Sequence, residues 1–280
     1  MTTLIDRAFV RIAEGLIHMR RIDGGRIDAP PLVMIHLSPG SSRGLEGLMT
    51  AIAARGGRTL IAPDTVGNGD SAPPAPSLPD IAYYADTLAR LLEAMGLDRV
   101  DLYGTHTGAR IACEMAVLHP DRLRRVIIDG IIEYAPDAIA EMIEHYAPQI
   151  APDDYGCQFA WAFNFVRDQA LHFPWYKRDP AHRLMSYAVP SADELHAKTL
   201  EVLKSLRTYH KSYRAAFAYR ASERLPLVAL PTLFLIGATE LPAIRDRASD
   251  YAAMVAESRI DIVGPTVEDK AVAIQRFLEA

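Results

Sequence analysis

The stretch VDLYGTHTGARIACEMA (100–116) sets His106 between Gly104 and Gly108, behind a short apolar run and ahead of a helical pattern. Glycine tolerates positive φ and close backbone approach, so this spacing suits a sharp strand-to-helix turn that projects its central side chain. An unperturbed imidazole titrates near about 6.5, which lets His106 act as general base or acid at neutral pH. Carboxylates close two later apolar runs: Glu240, after PTLFLIG (231–237), and Asp129, at the end of RRVIID (124–129). A carboxylate on the second ring nitrogen fixes the tautomer. His106 has no histidine or carboxylate at i+3 or i+4, so the spacing offers no metal site. The segment HLSPG (36–40) lacks the glycines of a dinucleotide-binding turn, and no cofactor is expected. Cys113, two turns beyond His106, reads as a small packing residue rather than a nucleophile.

The surrounding elements have two textures. Over residues 1–130, the apolar runs PLVMIHL (31–37), RTLIAP (58–63), RVDLYG (99–104) and RRVIIDG (124–130) alternate with amphipathic stretches at 45–57, 81–96 and 109–120. Short unbroken apolar strands between such helices predict a parallel sheet covered on both faces. AFVRIAEGLIHMRRID reads instead as an antiparallel hairpin about Glu14-Gly15. Residues 131–225 lose the alternation and become helical, aromatic-rich and punctuated by Pro148, Pro152, Pro174, Pro180 and Pro190. Strand–helix texture returns with LPTLFLIG (230–237), a helix near 241–256, SRIDIV (258–263) and a final helix near 268–279. The helical block is therefore expected to be a lid inserted between strands 6 and 7.

Composition narrows the classes. The chain has 280 residues, 50% hydrophobic and 23% charged, with a net charge of −5, so no basic excess marks a nucleic-acid binder. Two cysteines cannot build a disulfide framework. The N-terminal stretch carries Asp6, Arg7, Arg11 and Glu14, unlike a signal peptide, and no apolar run approaches the roughly 20 residues of a membrane helix. The expectation is a cytoplasmic protein whose partner is a small molecule, not nucleic acid or membrane. A homodimer is left open.

Four segments together resemble the α/β-hydrolase superfamily. Gly104-Thr105-His106-Thr107-Gly108 resembles its nucleophile elbow, G-x-S-x-G. His36-Leu37-Ser38-Pro39-Gly40 resembles its HGxPG oxyanion loop, Pro63–Ser71 its PDxxGxGxS loop, and Pro231–Glu240 its PTLxxxGxxD segment, with Glu240 at the acid position. The resemblance spans nearly the whole chain. It implies an α/β fold of the α/β-hydrolase type: a mostly parallel eight-stranded sheet with helices on both faces, a core at 1–130 and 226–280, and a helical lid at 131–225. It also implies an oxyanion hole built from backbone N–H groups at Leu37, Ser38 and Thr107. Asp129 marks an alternative acid position, and the PDxxGxGxS-like loop, with Asp64 and Asp70, is expected to be architectural.

The departures are at the chemistry. The elbow holds His106 rather than Ser, Cys or Asp, and no histidine follows His210. Where the superfamily has roughly G-H-x(4)-E, this chain reads Val263-Gly264-Pro265-Thr266-Val267-Glu268. A serine–histidine–acid triad in its ordinary form is not expected. The leading expectation is a general-base role for His106 beside an oxyanion hole, in a lyase-like or hydrolytic reaction on a small aromatic or apolar carbonyl compound. The alternatives are water activation by His106 for ester or C–C hydrolysis, and a catalytically silent small-molecule-binding protein. The expected pocket residues are His36, His145, Trp161, His172, Trp175 and Tyr176, with a lid histidine as a candidate replacement for the missing base.

Overall fold

The computed structural model describes residues 4–26, 28–185 and 188–280. Among them eight strands form one sheet: β1 (Asp6–Ile12), β2 (Gly15–Ile22), β3 (Leu32–Ile35), β4 (Leu60–Pro63), β5 (Val100–Thr105), β6 (Leu123–Asp129), β7 (Thr232–Gly237) and β8 (Ser258–Val263), in the order β1-β2-β4-β3-β5-β6-β7-β8. The hairpin β1–β2 joins β4 antiparallel and makes one edge, with Gly15 at φ 136° in its turn. Every other pairing is parallel.

The central strands are buried along their whole length, as continuous apolar runs require when helices cover both faces. On one face α1 (Glu46–Ala53) and α11 (Val267–Glu279) pack Met49, Ile52, Ile274 and Phe277 against Met34, Tyr103 and Leu233. On the other, α2 (Ile81–Ala94) and α3 (Thr107–Leu118) set Leu88, Leu91, Ile111 and Met115 against Val33, Leu102 and Ile128. Asp80 caps α2 through the Tyr83 N–H, which satisfies one of the amides left over at a helix start.

Between β6 and β7 the chain forms α4 (Pro136–Glu141), α5 (Cys157–Gln169), α6 (Ala192–Lys204), α7 (Tyr209–Ala218) and α8 (Ala221–Arg224). These helices share an aromatic core of their own, in which Tyr146, Phe165, Trp175 and Tyr209 are buried. The stretch expected to be one helix near 241–256 is broken into α9 (Pro242–Arg245) and α10 (Ala248–Ala253). No helix among the described residues is long and apolar enough to cross a membrane.

The parallel register aligns the strand ends that matter. Ile35 pairs with Gly104, Thr105 with Asp129, and Asp129 with Leu235. The loops leaving β3, β5, β6 and β7 therefore emerge side by side at the carboxyl edge of the sheet, where open α/β sheets gather ligand sites.

Candidate active site at the His106 turn

His106 joins β5 to α3 at φ 49°, ψ −103°. It is the one non-glycine residue with positive φ among those described. Holding an L-residue there costs about 1–3 kcal/mol, and such strain persists only where the surroundings impose it. They do. A Cβ on Gly104 would lie 2.0 Å from the Gly108 carbonyl oxygen, and one on Gly108 would lie 2.3 Å from that of Ile35. Two glycines thus let strand and helix close on each other. The His106 N–H is held by the Asp129 carbonyl at 2.9 Å.

The imidazole meets Glu240. Its Nε2 lies 3.6 Å from Glu240 Oε2, and the two side chains are 36% and 12% exposed. The other carboxylate oxygen accepts the Leu241 N–H at 2.9 Å, which fixes the carboxylate from behind. Gly130 lies beneath both groups at φ +80°; a Cβ there would come within 3.2 Å of Glu240 Oε2 and of His106 Cε1.

Asp129 does not serve the imidazole. Its Oδ2 accepts the Tyr103 hydroxyl and the Lys270 ammonium, the latter at 2.6 Å, and its side chain is only 1% exposed. Tyr103 and Lys270 draw the carboxylate into the buried layer beside α11, so the expectation of Asp129 as a catalytic acid is replaced by a structural role. The segment after β8 is occupied by a reciprocal cap between Thr266 and Asp269 at the start of α11.

A cavity of about 360 Å³ opens over the turn. His106, Thr107, Leu37, Ser38 and Glu240 line one side. Ile132, Phe173, Leu184, Phe217 and Ile244 supply apolar walls. The Thr107 N–H opens α3, where the first amides of a helix have no acceptor within the helix. Ser38 is buried, and its hydroxyl has no partner among the described residues. Leu37, Ser38 and Thr107 are thus brought to the same cavity as His106. A proton acceptor beside free amides, in a half-open and largely apolar space, is an arrangement able to polarise a carbonyl.

The sequence profile of the alpha/beta hydrolase fold matches residues 30–253. The chain belongs to the alpha/beta hydrolase fold family. It is 34% identical over 101 residues to 2-hydroxymuconate semialdehyde hydrolase of Pseudomonas sp. (strain CF600), covering 36% of each chain. It is 32% identical over 114 residues to haloalkane dehalogenase of Mycolicibacterium paratuberculosis, covering 40% of this chain and 37% of that one. These matches span well under half the length of either relative. Among solved structures, a mutant of potato epoxide hydrolase superposes with a TM-score of 0.74 at 18% identity, covering 99% of both chains. A hydrolase from Pseudomonas aeruginosa gives 0.73 at 18% identity, covering 98% of this chain and 99% of that one. At these identities the superpositions establish the fold.

Within this alpha/beta hydrolase, the six expected pocket residues lie elsewhere. His36 is buried behind its loop: the ring Nδ1 meets Leu37 O at 2.6 Å, and Nε2 accepts the Thr65 N–H at 3.0 Å. Burial pushes this imidazole below its ordinary value, so it is a neutral strut; it lines a neighbouring cavity on the far side of the loop. His145 is half exposed beside Glu144 and tilts against Tyr176. Trp161 stacks on Phe165, with ring centroids 4.9 Å apart, and Trp175 donates its Nε1–H to Tyr146 O at 2.9 Å. Tyr176 points its hydroxyl at Met142, and the His172 backbone bridges to Arg183. Three of the six, Trp161, Trp175 and Tyr176, fill or flank the core of the helical layer because aromatic burial between helices outweighs exposure to a half-open cavity. His106 is the sole histidine lining the cavity among the described residues, so no lid histidine stands in it.

The residues the sequence did not single out are Arg110, Tyr134, Tyr146, Gln169, Tyr213 and Phe217, all in the cavity wall. The spacing of Tyr213, Ala216 and Phe217 (i, i+3, i+4) was the available signal for α7, and Arg110 at His106+4 was the signal for α3. Elsewhere, His18, Asp64 and Asp70 bring ligand-type atoms within 4.8 Å of one another. Arg7 and Lys204 already pair with Asp70, and Asp64 holds Ser42, His18 and the Asp70 N–H. That cluster ties β2, the 64–71 loop and α6 together.

Proposed function

We propose that this alpha/beta hydrolase has an altered catalytic site, in which His106 is the general base acting on a small aromatic or apolar carbonyl compound. The observation that carries the reading is the imidazole's position on a strained turn, against Glu240, in the wall of a half-open and mostly apolar cavity. In this reaction His106 takes a proton from a carbon or hydroxyl next to the substrate carbonyl. Glu240 stabilises the imidazolium that forms. The negative charge arriving on the carbonyl oxygen meets the N–H of Thr107 and of the Leu37–Ser38 loop, each such donor contributing roughly 3 kcal/mol. The helices between β6 and β7 act as a lid that keeps water from the enolate or alkoxide. With no triad nucleophile, the outcome is lyase-like or hydrolytic without a covalent acyl-enzyme. The reading places the enzyme in the cytoplasm, with a small molecule as its partner.

A second reading, in which His106 activates water for ester or C–C bond hydrolysis, is favoured by the hydrolase names of the relatives. The two separate in one experiment. A panel of small aromatic esters, ketones, diketones and hydroxyketones is screened in ¹⁸O-labelled water, and the products are read by mass spectrometry. A lyase-like cleavage or isomerisation leaves the label out of any product carboxylate; hydrolysis by His106-activated water puts it in. Absence of turnover across all these classes would leave a catalytically silent binding protein and overturn both.

A further inference from the structure

Arg110 stands one turn into α3, lines the His106 cavity and is only 4% exposed. Its Nη1 donates to His106 O at 3.1 Å and its Nη2 to Ile132 O, both neutral acceptors, while Nε has no partner. Among the described residues no carboxylate lies within ion-pair distance of it. The other buried arginines are treated differently: Arg58 pairs with Asp101, and Arg20 with Glu46. Two acidic residues, Glu114 on the same helix and Glu133 in the loop after β6, are already committed. Glu114 receives both arms of Arg224 and the Tyr219 hydroxyl, and Glu133 receives Arg220 and Ser222. Burial pushes the Arg110 guanidinium below its ordinary value, and the neighbouring groups that act against this are Tyr134, Tyr219 and Tyr251. Burial raises the first two above the ordinary phenol value, so those hydroxyls carry no charge at neutral pH.

A guanidinium buried without a counter-ion is costly unless its partner arrives from outside. The cavity is where that partner would enter. Among the described residues its one lining carboxylate, Glu240, stands against His106, so an incoming anion is repelled from that wall and drawn to Arg110 and the amino end of α3.

We propose that this cavity is built for a carbonyl compound that also bears a carboxylate, and that the Arg110 guanidinium in its wall receives the carboxylate. The proposal rests on the reading above only in taking the His106 cavity as the substrate site. It narrows the substrate class from apolar carbonyl compounds to carbonyl acids, with the apolar body against Phe173, Phe217 and Ile244.

The test uses isothermal titration calorimetry on the full chain, with two isosteric pairs: benzoate against benzamide, and phenylacetate against phenylacetamide. A charge-assisted hydrogen bond predicts that each acid binds at least about tenfold tighter than its amide. R110Q abolishes that preference while still binding the amides, and H106A keeps it. Equal binding of acid and amide by the native protein, no binding of either acid at millimolar concentration, or an undiminished preference in R110Q overturns the proposal. If R110Q does not fold, R110K decides: it keeps the charge but lacks the planar guanidinium donors, so the acids must weaken and the amides must not. Failure of the His106 chemistry reads differently, as turnover retained in H106A with the acid preference intact.

Discussion

At the scale of single residues, the site depends on how three side-chain positions crowd one another. Gly130 leaves just enough room for His106 and Glu240 to face each other at 3.6 Å. Gly130→Ala adds a methyl group 3.2 Å from both and forces an alanine to φ +80°, a conformation costing roughly 1–2 kcal/mol. The variant is expected to fold, to lose about that much stability in urea unfolding, and to turn over at least about tenfold more slowly, a loss of roughly 1.4 kcal/mol. Undiminished turnover in folded Gly130→Ala would show that the His106–Glu240 spacing does not matter. His106 was legible in the sequence because two glycines bracket it, and glycine spacing reports backbone geometry directly. Asp129 was misread for the opposite reason. Its place at a strand end was plain, but its competitors, Tyr103 and Lys270, come from 26 and 141 residues away. Long-range polar partners leave no local pattern.

At the scale of elements, the strands were readable because burial on both faces demands unbroken apolar runs, and the order of those runs set the sheet. The helical layer was readable as helices but not as orientations. Aromatic residues there pack inward, sideways and over the cavity with similar composition, so their types alone did not separate wall from core. Trp175 shows the difference. It is buried and donates to Tyr146 O, yet it does not line the His106 cavity. Trp175→Phe keeps an aromatic body and removes the donor, leaving a buried carbonyl unpaired. The expected cost is about 1–3 kcal/mol, seen as a lower urea midpoint, with KM within twofold of the native value. A large KM change without loss of stability would put Trp175 in the binding wall after all.

At the scale of the whole molecule, buried histidines tie folding to pH, His210 among them. Burial, with Arg214 and Lys211 alongside, pushes the α7 imidazole of His210 down to about 4 from its ordinary 6.5. Between those values the unfolded chain binds a proton that the folded chain refuses, so stability falls as pH drops from about 6.5 and the penalty is complete below about 4. His210→Asn is expected to flatten that part of a urea-midpoint-against-pH curve; an unchanged slope would assign the acid lability to other groups. The same fold brings four strand ends together around His106, and there the central claim can be met head-on. That measurement is the pH dependence of turnover for the native protein, His106→Ala and His106→Ser, on a substrate found by the screen. The account predicts an acid limb in the native profile and loss of turnover in both variants. Retention of native turnover by both would contradict it.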